Sequence, residues 1–176
     1  MARQQSDAAS AIGFLRVLQL DDGSYVGGIL VANQMGRPLE FQCTTPVKPN
    51  RTQVILYGPT LQPFVYSELI GKTLLARLDN KPQLIVVDQP PLLELRPLIN
   101  ATVAQLFDPQ AEASSLPDET RLQLGQHHLK FHADCPHDHD DAAERLAALP
   151  SDADLSEPLE RVSEALRETL RSSAVA

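Results

Sequence analysis

Short apolar runs separated by turn residues predict three antiparallel strands near the start of the chain, over residues 13–47. The first two runs are Phe14 to Leu20 and Tyr25 to Ala32, and the third begins at Arg37. Segments rich in Asp, Asn and Gly separate the runs, at 21–23 and 33–36. Their composition is that of tight hairpin turns. Apolar and polar residues alternate in the third run, so we expect a meander with one buried face and one partly solvated face.

Two adjacent glycines, Gly27 and Gly28, interrupt the second predicted strand. Glycine inside a strand costs conformational entropy and offers no side chain for packing. The pair therefore predicts a β-bulge, a bend, or a position that another part of the backbone or a ligand approaches closely.

A short helix is predicted after the meander. Asn50 is a favourable N-cap residue for a helix over Arg51 to Tyr57. Its apolar side chains Val54, Ile55 and Tyr57 are expected to face inward.

A longer helix and a buried strand follow. The helix is predicted from Pro63 to Leu78, and its apolar residues cover most of its circumference, so it should be buried on more than one side. Leu84 to Val87 is a run of branched apolar residues, typical of a strand covered on both faces, and Asp88 follows it. Residues 92–106 fit a strand, a helix, or a helix kinked at Pro97.

The remaining pattern completes a mixed α+β fold in one domain over 12–150, with a frayed segment at 1–11. Residues 108–120 have the composition of an internal loop, and 121–131 alternate like a hairpin. A short helix is expected from Ala143 to Leu149. Over 151–176, an amphipathic helix presents one apolar stripe, which packs either on the domain or on a partner.

Charge and cysteine content bound the function. The net charge is -8, and the 15 basic and 23 acidic residues are unevenly distributed, because most of the acidic excess follows residue 100. This balance disfavours nucleic acid and anionic membranes as partners, since both are bound through Lys and Arg. Two cysteines, no secretory leader and no membrane-length apolar run predict a cytoplasmic protein. Our first hypothesis is a non-enzymatic interaction or regulatory protein that needs no cofactor and binds a protein partner or itself.

All five histidines lie between 127 and 139, which suggests a metal site. His132, Cys135, His137 and His139 are separated by spacings that could turn several of these side chains toward one zinc ion or another divalent metal such as nickel. The spacing matches no known zinc module, and a solvated acidic loop before a helix, with Asp140 or Asp141 as N-cap, is the favoured explanation. Metal binding through 132–139 is therefore one alternative function.

Three carboxylates define the other alternative. Glu68 lies on the longer helix and Asp88 lies at the end of a buried strand, where ligands of open sheets often bind. A meander, a helix and a buried strand ending in Asp resemble the element order of the ribonuclease H-like superfamily over 13–88. The resemblance implies divalent-metal phosphodiester cleavage by Asp88, Glu68 and Asp22. The superfamily carries an Asp within its first strand, whereas here Asp22 lies at the turn.

Overall fold

A seven-stranded mixed sheet forms the centre of the fold in the computed structural model, which describes residues 10–111 and 120–175. The strands are β1 (Ile12–Gln19), β2 (Tyr25–Ala32), β3 (Pro38–Cys43), β4 (Leu84–Val87), β5 (Thr102–Phe107), β6 (Arg121–Leu124) and β7 (His127–Lys130). Their spatial order is β3-β2-β1-β4-β5-β7-β6. The predicted α+β class, the antiparallel meander and the buried strand are confirmed.

Strand direction changes across the sheet. Strands β1, β2 and β3 are antiparallel neighbours, whereas β4 runs parallel to β1, and β5 runs parallel to β4. The hairpin of β6 and β7 continues the sheet antiparallel beyond β5. The carboxyl ends of β1, β4 and β5 therefore lie at one edge of the sheet, where ligands of such sheets commonly bind.

Helices cover both faces of this sheet. They are α1 (Arg51–Tyr57), a second helix α2 over 61–77, α3 (Asp138–Leu146) and α4 (Glu157–Val175), with 3₁₀ turns at Gly58–Thr60 and Pro90–Leu98. Helix α2 is α-helical at Leu61–Pro63 and Lys72–Arg77, but it is π-helical over Phe64–Gly71. Within the described residues, no helix combines the length and the apolar character needed to cross a membrane.

The two faces of the sheet bury separate apolar clusters. Helix α2 and the 3₁₀ segment Pro90–Leu98 pack on the first face, on side chains that include Leu15, Ile29, Ile85 and Val103. Helices α3 and α4 pack on the second face, on side chains that include Phe14, Leu30, Val86 and Leu129. The four central strands β1, β2, β4 and β5 contribute to both clusters because their side chains alternate between faces, whereas β3, β6 and β7 contribute only to the second.

Gly27 and Gly28 lie where both helix layers approach β2. A Cβ atom on Gly27 would overlap Cγ2 of Ile70 in α2, and one on Gly28 would lie 3.0 Å from Cδ2 of Leu166 in α4. A close approach is present at this pair, but helix side chains make it on each face, rather than the backbone or ligand that the sequence suggested. The bulge recorded between β2 and β3 lies further along, at Val31 and Ala32.

Helix α1 departs from its predicted packing. The predicted cap is present, since the Asn50 side chain accepts a hydrogen bond from the Gln53 backbone N–H and the Gln53 side-chain oxygen accepts one from the Asn50 backbone N–H. However, Val54 and Ile55 are exposed, so the prediction that they face inward is wrong. The helix meets α2 through Tyr57, whose ring stacks on Phe64 at a centroid distance of 4.1 Å.

In the second half of the chain, the structure gives the secondary structure of the segments that the sequence left open. Residues 92–106 divide between the 3₁₀ segment Pro90–Leu98 and strand β5. Helix α3 begins at Asp138 rather than Ala143. The apolar stripe of α4 packs on the sheet through Leu159, Val162 and Leu166. Most of the predicted frayed segment 1–11 and of the predicted loop 108–120 lies outside the described residues.

Candidate functional site at the carboxyl edge of the sheet

Arg16 and Asp88 lie side by side on neighbouring parallel strands. In the register of β1 and β4, Ile12 is opposite Leu84 and Phe14 is opposite Val86. The same alternation, continued by two residues, brings Arg16 beside Asp88 on the face that α4 covers. The guanidinium Nη2 lies 2.6 Å from Oδ2 of Asp88.

The side chain of Gln89 fixes this arrangement. Its Oε1 accepts a hydrogen bond of 2.8 Å from the backbone N–H of Val17, and its Nε2 donates one of 2.8 Å to the Val17 carbonyl. A side-chain amide thus continues the β1–β4 ladder by one step after β4 has ended. Asp88 is consequently held next to Arg16, although it lies outside the strand.

Arg16 also binds helix α4. Its Nη1 donates to Oε1 of Glu160 at 2.9 Å and to Oγ of Ser163 at 3.0 Å, and it lies 3.4 Å from the Leu159 carbonyl. Burial lowers the pKa of Arg16, but the hydrogen bond to Glu160 and the charge of Asp88 outweigh it, so this pKa is raised. The guanidinium is therefore a fixed positive charge between two carboxylates.

The two carboxylates differ in exposure and in hydrogen bonding. The side chain of Glu160 is 62% exposed, whereas that of Asp88 is 23% exposed. The second oxygen of Asp88, Oδ1, is buried, and no donor within residues 10–111 and 120–175 bonds to it. A buried carboxylate oxygen without a donor carries an uncompensated desolvation cost, which a cation or a donor would relieve.

A cavity of about 330 Å³ opens beside Asp88. Its polar lining comes from the ends of β4 and β5, from β7 and from the start of α4, and includes Asp88, Asp108, His127, His128 and Ser156. His127 Nε2 accepts a hydrogen bond of 3.2 Å from the Leu155 backbone. That ring nitrogen is thus occupied in anchoring α4.

The chemistry of this edge fits a hard divalent cation in ligand type. Such cations bind carboxylate oxygens, and Asp88 and Glu160 supply them from two different elements. The unpartnered Oδ1 of Asp88 adds a further acceptor. Strand β1 contributes no carboxylate, and Arg16 already compensates the negative charge. Among the described residues, no three His, Cys, Asp or Glu side chains converge in a way that could hold a metal.

The three carboxylates predicted from the sequence occupy different surroundings. Asp22 is exposed at the β1–β2 turn, where it accepts hydrogen bonds from the Ser24 hydroxyl and backbone, and these lower its pKa. Glu68 is exposed on α2 and lines a separate cavity of about 460 Å³ together with Glu94. Only Asp88 lies at the carboxyl edge described above, so the structure does not gather the three into one site.

The four metal ligands predicted at 132–139 also point to different partners. The Nδ1 atom of His132 accepts a hydrogen bond of 3.2 Å from the backbone of Asp134. Cys135 is half-buried, and His137 is exposed just before α3. His139 lies 3.0 Å from the carboxylate of Asp140. The arrangement offers this metal site no geometric support, and it stays a prediction from spacing.

The architecture is that of a ribonuclease H-like fold, in agreement with the element order found in the sequence. Solved structures similar to this chain include those of Endonuclease V. The catalytic domain of the human enzyme superposes with a TM-score of 0.54 at 14% identity, over 93% of this chain and 83% of that chain. A variant from Ciona intestinalis, in complex with a 23mer DNA containing an inosine followed by a ribo-adenosine, gives 0.53 at 11% identity, over 93% and 86%.

Sequence comparison adds no family. The chain matches no protein-family model, and no curated protein matches it significantly. At sequence identities of 11% and 14%, the structural similarity establishes the fold alone.

These similarities correct three of our predictions. The non-enzymatic interaction hypothesis is wrong by this comparison, because the similar structures are those of a nuclease, and the phosphodiesterase alternative is better supported. The prediction that the protein binds a protein partner or itself is corrected for the same reason. The prediction that disfavoured nucleic acid is overturned by the DNA bound in the Ciona structures. Net charge failed as a guide because it averages over the whole surface and does not describe one edge.

Sequence reasoning missed Arg16 and Glu160. Arg16 is the one charged residue of strand β1, and it is in phase with the buried Ile12 and Phe14. Its position on the same strand face as Ile12 and Phe14 was the signal in the sequence, since a charged side chain on a buried face requires a partner. The identity of the partner was hidden because it depends on the parallel pairing of β1 with β4.

Proposed function

We propose that this protein is a divalent-metal-dependent phosphodiesterase that acts on nucleic acid. Asp88 and Glu160 are its principal carboxylates. The observation that carries the proposal is their convergence on one cationic group at the carboxyl edge of β1 and β4. Support for the substrate class comes from the ribonuclease H-like fold and its similarity to DNA-bound Endonuclease V.

Each group at this edge has a separate part in the proposed reaction. Asp88 and Glu160 would hold a divalent cation, which when bound neutralises phosphate charge and lowers the pKa of bound water. Gln89 positions Asp88 through its two hydrogen bonds to Val17. The cavity beside Asp88, lined by His127 and His128, would receive the phosphodiester segment next to the scissile bond.

The acidic surface shapes how the substrate is bound. With a net charge of -8, the chain offers few phosphate contacts, so affinity should be weak at every salt concentration, and it should fall only gradually as salt increases because few counterions are released. Activity is therefore best sought at low ionic strength, with Mg²⁺ or Mn²⁺ in millimolar excess.

The test is a cleavage assay on end-labelled single-stranded and double-stranded DNA and RNA, each with and without an inosine. Protein stripped with EDTA is assayed with and without added Mg²⁺ or Mn²⁺. We expect metal-dependent products, and we expect Asp88→Asn and Glu160→Gln to reduce the rate about a hundredfold. Glu164→Gln is the matched control, because Glu164 is exposed one turn further along α4.

Two further variants test the carboxylates predicted from the sequence. Asp22→Asn and Glu68→Gln should leave the rate close to that of the wild type if the edge at Asp88 is the reactive site. Absence of metal-dependent cleavage on every substrate, or an equal rate in Asp88→Asn, would overturn the proposed function.

A further inference from the structure

We propose that the first face of strands β5, β7 and β6, around the ring of Phe107, binds a single-stranded segment of nucleic acid that leads to the cavity beside Asp88. One base stacks on Phe107, and Arg121 binds the phosphate next to it. The inference deepens the proposed function, on which its choice of ligand rests. It concerns binding without metal, so it can be measured separately from cleavage.

The register of three strands brings an aromatic ring, an imidazole and two cationic side chains onto one face of the sheet. Phe107 is opposite His128 in the pairing of β5 with β7, and Lys130 is opposite Arg121 in the pairing of β7 with β6. Side chains alternate along a strand, so His128 and Lys130 lie on the same face. These four residues form the Phe107 patch.

The two cations lie over the aromatic ring of the patch. Cζ of Arg121 is 5.7 Å from the centroid of the Phe107 ring, and Nζ of Lys130 is 5.6 Å from it. The His128 ring lies 6.0 Å from the same centroid and is tilted by 58°. Proteins bind single strands with this combination, since an aromatic ring stacks on a base and a neighbouring cation binds the backbone.

The charge of Arg121 is not held by a carboxylate. Arg16 and Arg96 each bind an Asp side chain at 2.6 Å, whereas no carboxylate of residues 10–111 and 120–175 forms an ion pair with Arg121. Its Nε atom also has no hydrogen-bond partner there. In a chain with a net charge of -8, a guanidinium of this kind next to an aromatic ring favours an anionic ligand at this position.

The Phe107 patch is continuous with the cavity of the proposed site. Phe107 and His128 line this cavity together with Asp88. On the first face, the described residues of the apolar cluster include Val103 of β5 but no side chain of β6 or β7. Apolar packing on this face therefore stops at β5, and a strand that lies along the patch reaches the edge at Asp88.

A single strand fits this patch better than a duplex does. A base must leave the base stack to contact the ring of Phe107, and the bases of a duplex stack on one another. A patch with so few cations also offers few phosphate contacts, and a duplex is bound mainly through such contacts.

The experiment measures the fluorescence anisotropy of a labelled deoxythymidine oligonucleotide, single-stranded or paired with its complement, in EDTA at low salt. We expect tighter binding of the single strand. Phe107→Leu should weaken that binding about tenfold without changing its salt dependence, because one stacked base is lost. Phe107→Tyr keeps a ring and should bind like the wild type.

The salt dependence separates the charge from the ring. Arg121→Gln should weaken single-strand binding and lower the slope of log affinity against log salt by about 0.7, since one phosphate contact is lost. Arg171→Gln is the matched control, because it removes one charge from a side chain that is 76% exposed near the end of α4. It should change neither the affinity nor the slope.

A tryptophan at position 107 reports the contact itself. The chain contains no tryptophan, so Phe107→Trp introduces a single one. A stacked base should quench its emission when the single strand is added. Tyr57→Trp is the control, because Tyr57 lines the separate cavity beside Glu68, and its emission should not change. Circular dichroism establishes that each variant is folded, and Phe107→Trp and Arg121→Gln provide the test if Phe107→Leu is not.

Four results would overturn the inference: no saturable binding of the single strand by the wild type, unchanged affinity in folded Phe107→Leu, an equal loss in Arg171→Gln, or equal losses for single strand and duplex. Metal-dependent cleavage alongside any of these would leave the proposed function in place and remove this inference. Binding that depends on Phe107 and Arg121, with no cleavage of any substrate, would do the reverse.

Discussion

In the part of the chain that the structure describes, two arginine–carboxylate clusters connect distant segments, and they are built differently. In the first, Arg96 of the 3₁₀ segment binds both oxygens of Asp138 at the start of α3, at 2.6 and 2.9 Å. In the second, Arg16 divides its contacts between Asp88 and Glu160. Asp138 has a side chain only 2% exposed and fully bonded, whereas Asp88 is more open and has one unbonded oxygen.

The difference separates a structural ion pair from a candidate reactive one. Bidentate geometry and full burial fix Arg96 and Asp138 in one arrangement, which ties the first face of the sheet to a helix on the second. The Arg16 cluster satisfies its groups only in part and opens onto a cavity. The incompletely paired Arg16 cluster, and not the Arg96 pair, is therefore the candidate reactive site.

The largest effect should come from breaking the buried pair. Arg96→Met leaves the Asp138 carboxylate buried without a partner, so we expect a loss of about 3–5 kcal/mol in the free energy of unfolding. Urea denaturation followed by circular dichroism measures it. Arg171→Met is the control, because Arg171 is exposed and its pair with Glu168 is long, at 3.7 Å. This substitution should cost about 0.5 kcal/mol or less. A loss near that of the control would show that the pair is not structural.

The Arg16 cluster should be less important for stability. We expect Arg16→Gln to lower the free energy of unfolding by about 1–2 kcal/mol, since charge-assisted hydrogen bonds are lost but the site is partly solvated. The same urea titration gives the value. A loss as large as that of Arg96→Met would mean that the two clusters are alike, and the distinction drawn above would fail.

Glu40 offers a third case, in which a carboxylate is held by uncharged donors. The Asn80 backbone and side chain donate to it, as does the Asp79 backbone. Desolvation raises the pKa of Glu40, but these hydrogen bonds outweigh it and the pKa is lowered. Because the folded-state pKa is the lower one, its stabilisation is present at neutral pH and is lost as the pH falls through that pKa.

Glu40→Gln should therefore cost about 1 kcal/mol at pH 7, and this difference from the wild type should shrink as the pH falls below the ordinary pKa of a Glu carboxyl, about 4.3. Urea denaturation at pH 7 and pH 3.5 checks it. A difference that is equal at both values would show that the charge of Glu40 has no part in holding the turn at 79–80.

The smallest effect should come from Glu160→Gln. Its carboxylate is mostly exposed, so we expect a change of about 0.5 kcal/mol or less in the free energy of unfolding. A thermal melt next to that of Glu164→Gln measures the difference. A clear loss of stability would mean that Glu160 is a structural residue, and it would weaken its assignment to the proposed site.

Most of the sheet and of the helices could be predicted because their signals are local. The branched run Leu84–Val87 forms the predicted strand, and the cap at Asn50 begins the predicted helix. The π-helical turn Phe64–Gly71 was missed because no residue within it is a helix breaker apart from its final glycine. The exposure of Val54 and Ile55 was missed because α1 meets its neighbour at Tyr57, and periodicity does not report where a short helix docks.

The candidate site was only partly predictable, since it depends on pairing between distant strands. Asp88 was found from its place after a buried strand. Arg16 is separated from it by 72 positions, and Glu160 lies 144 positions beyond Arg16 on a helix whose polar face resembles an ordinary solvated surface. Asp22 and Glu68 were chosen by residue type and by resemblance, which carry no information about which face of the fold each side chain occupies.

The paired glycines of β2 have a consequence for how this chain can change in sequence. At Gly27 and Gly28 only one strand of backbone separates Ile70 of α2 from Leu166 of α4. A bulkier residue at Ile70 would press on the backbone against which Leu166 rests, so substitutions on the two helices should be tolerated in matched pairs. Two helices on opposite faces of the sheet are therefore expected to co-vary in sequence through the glycine backbone that lies between them.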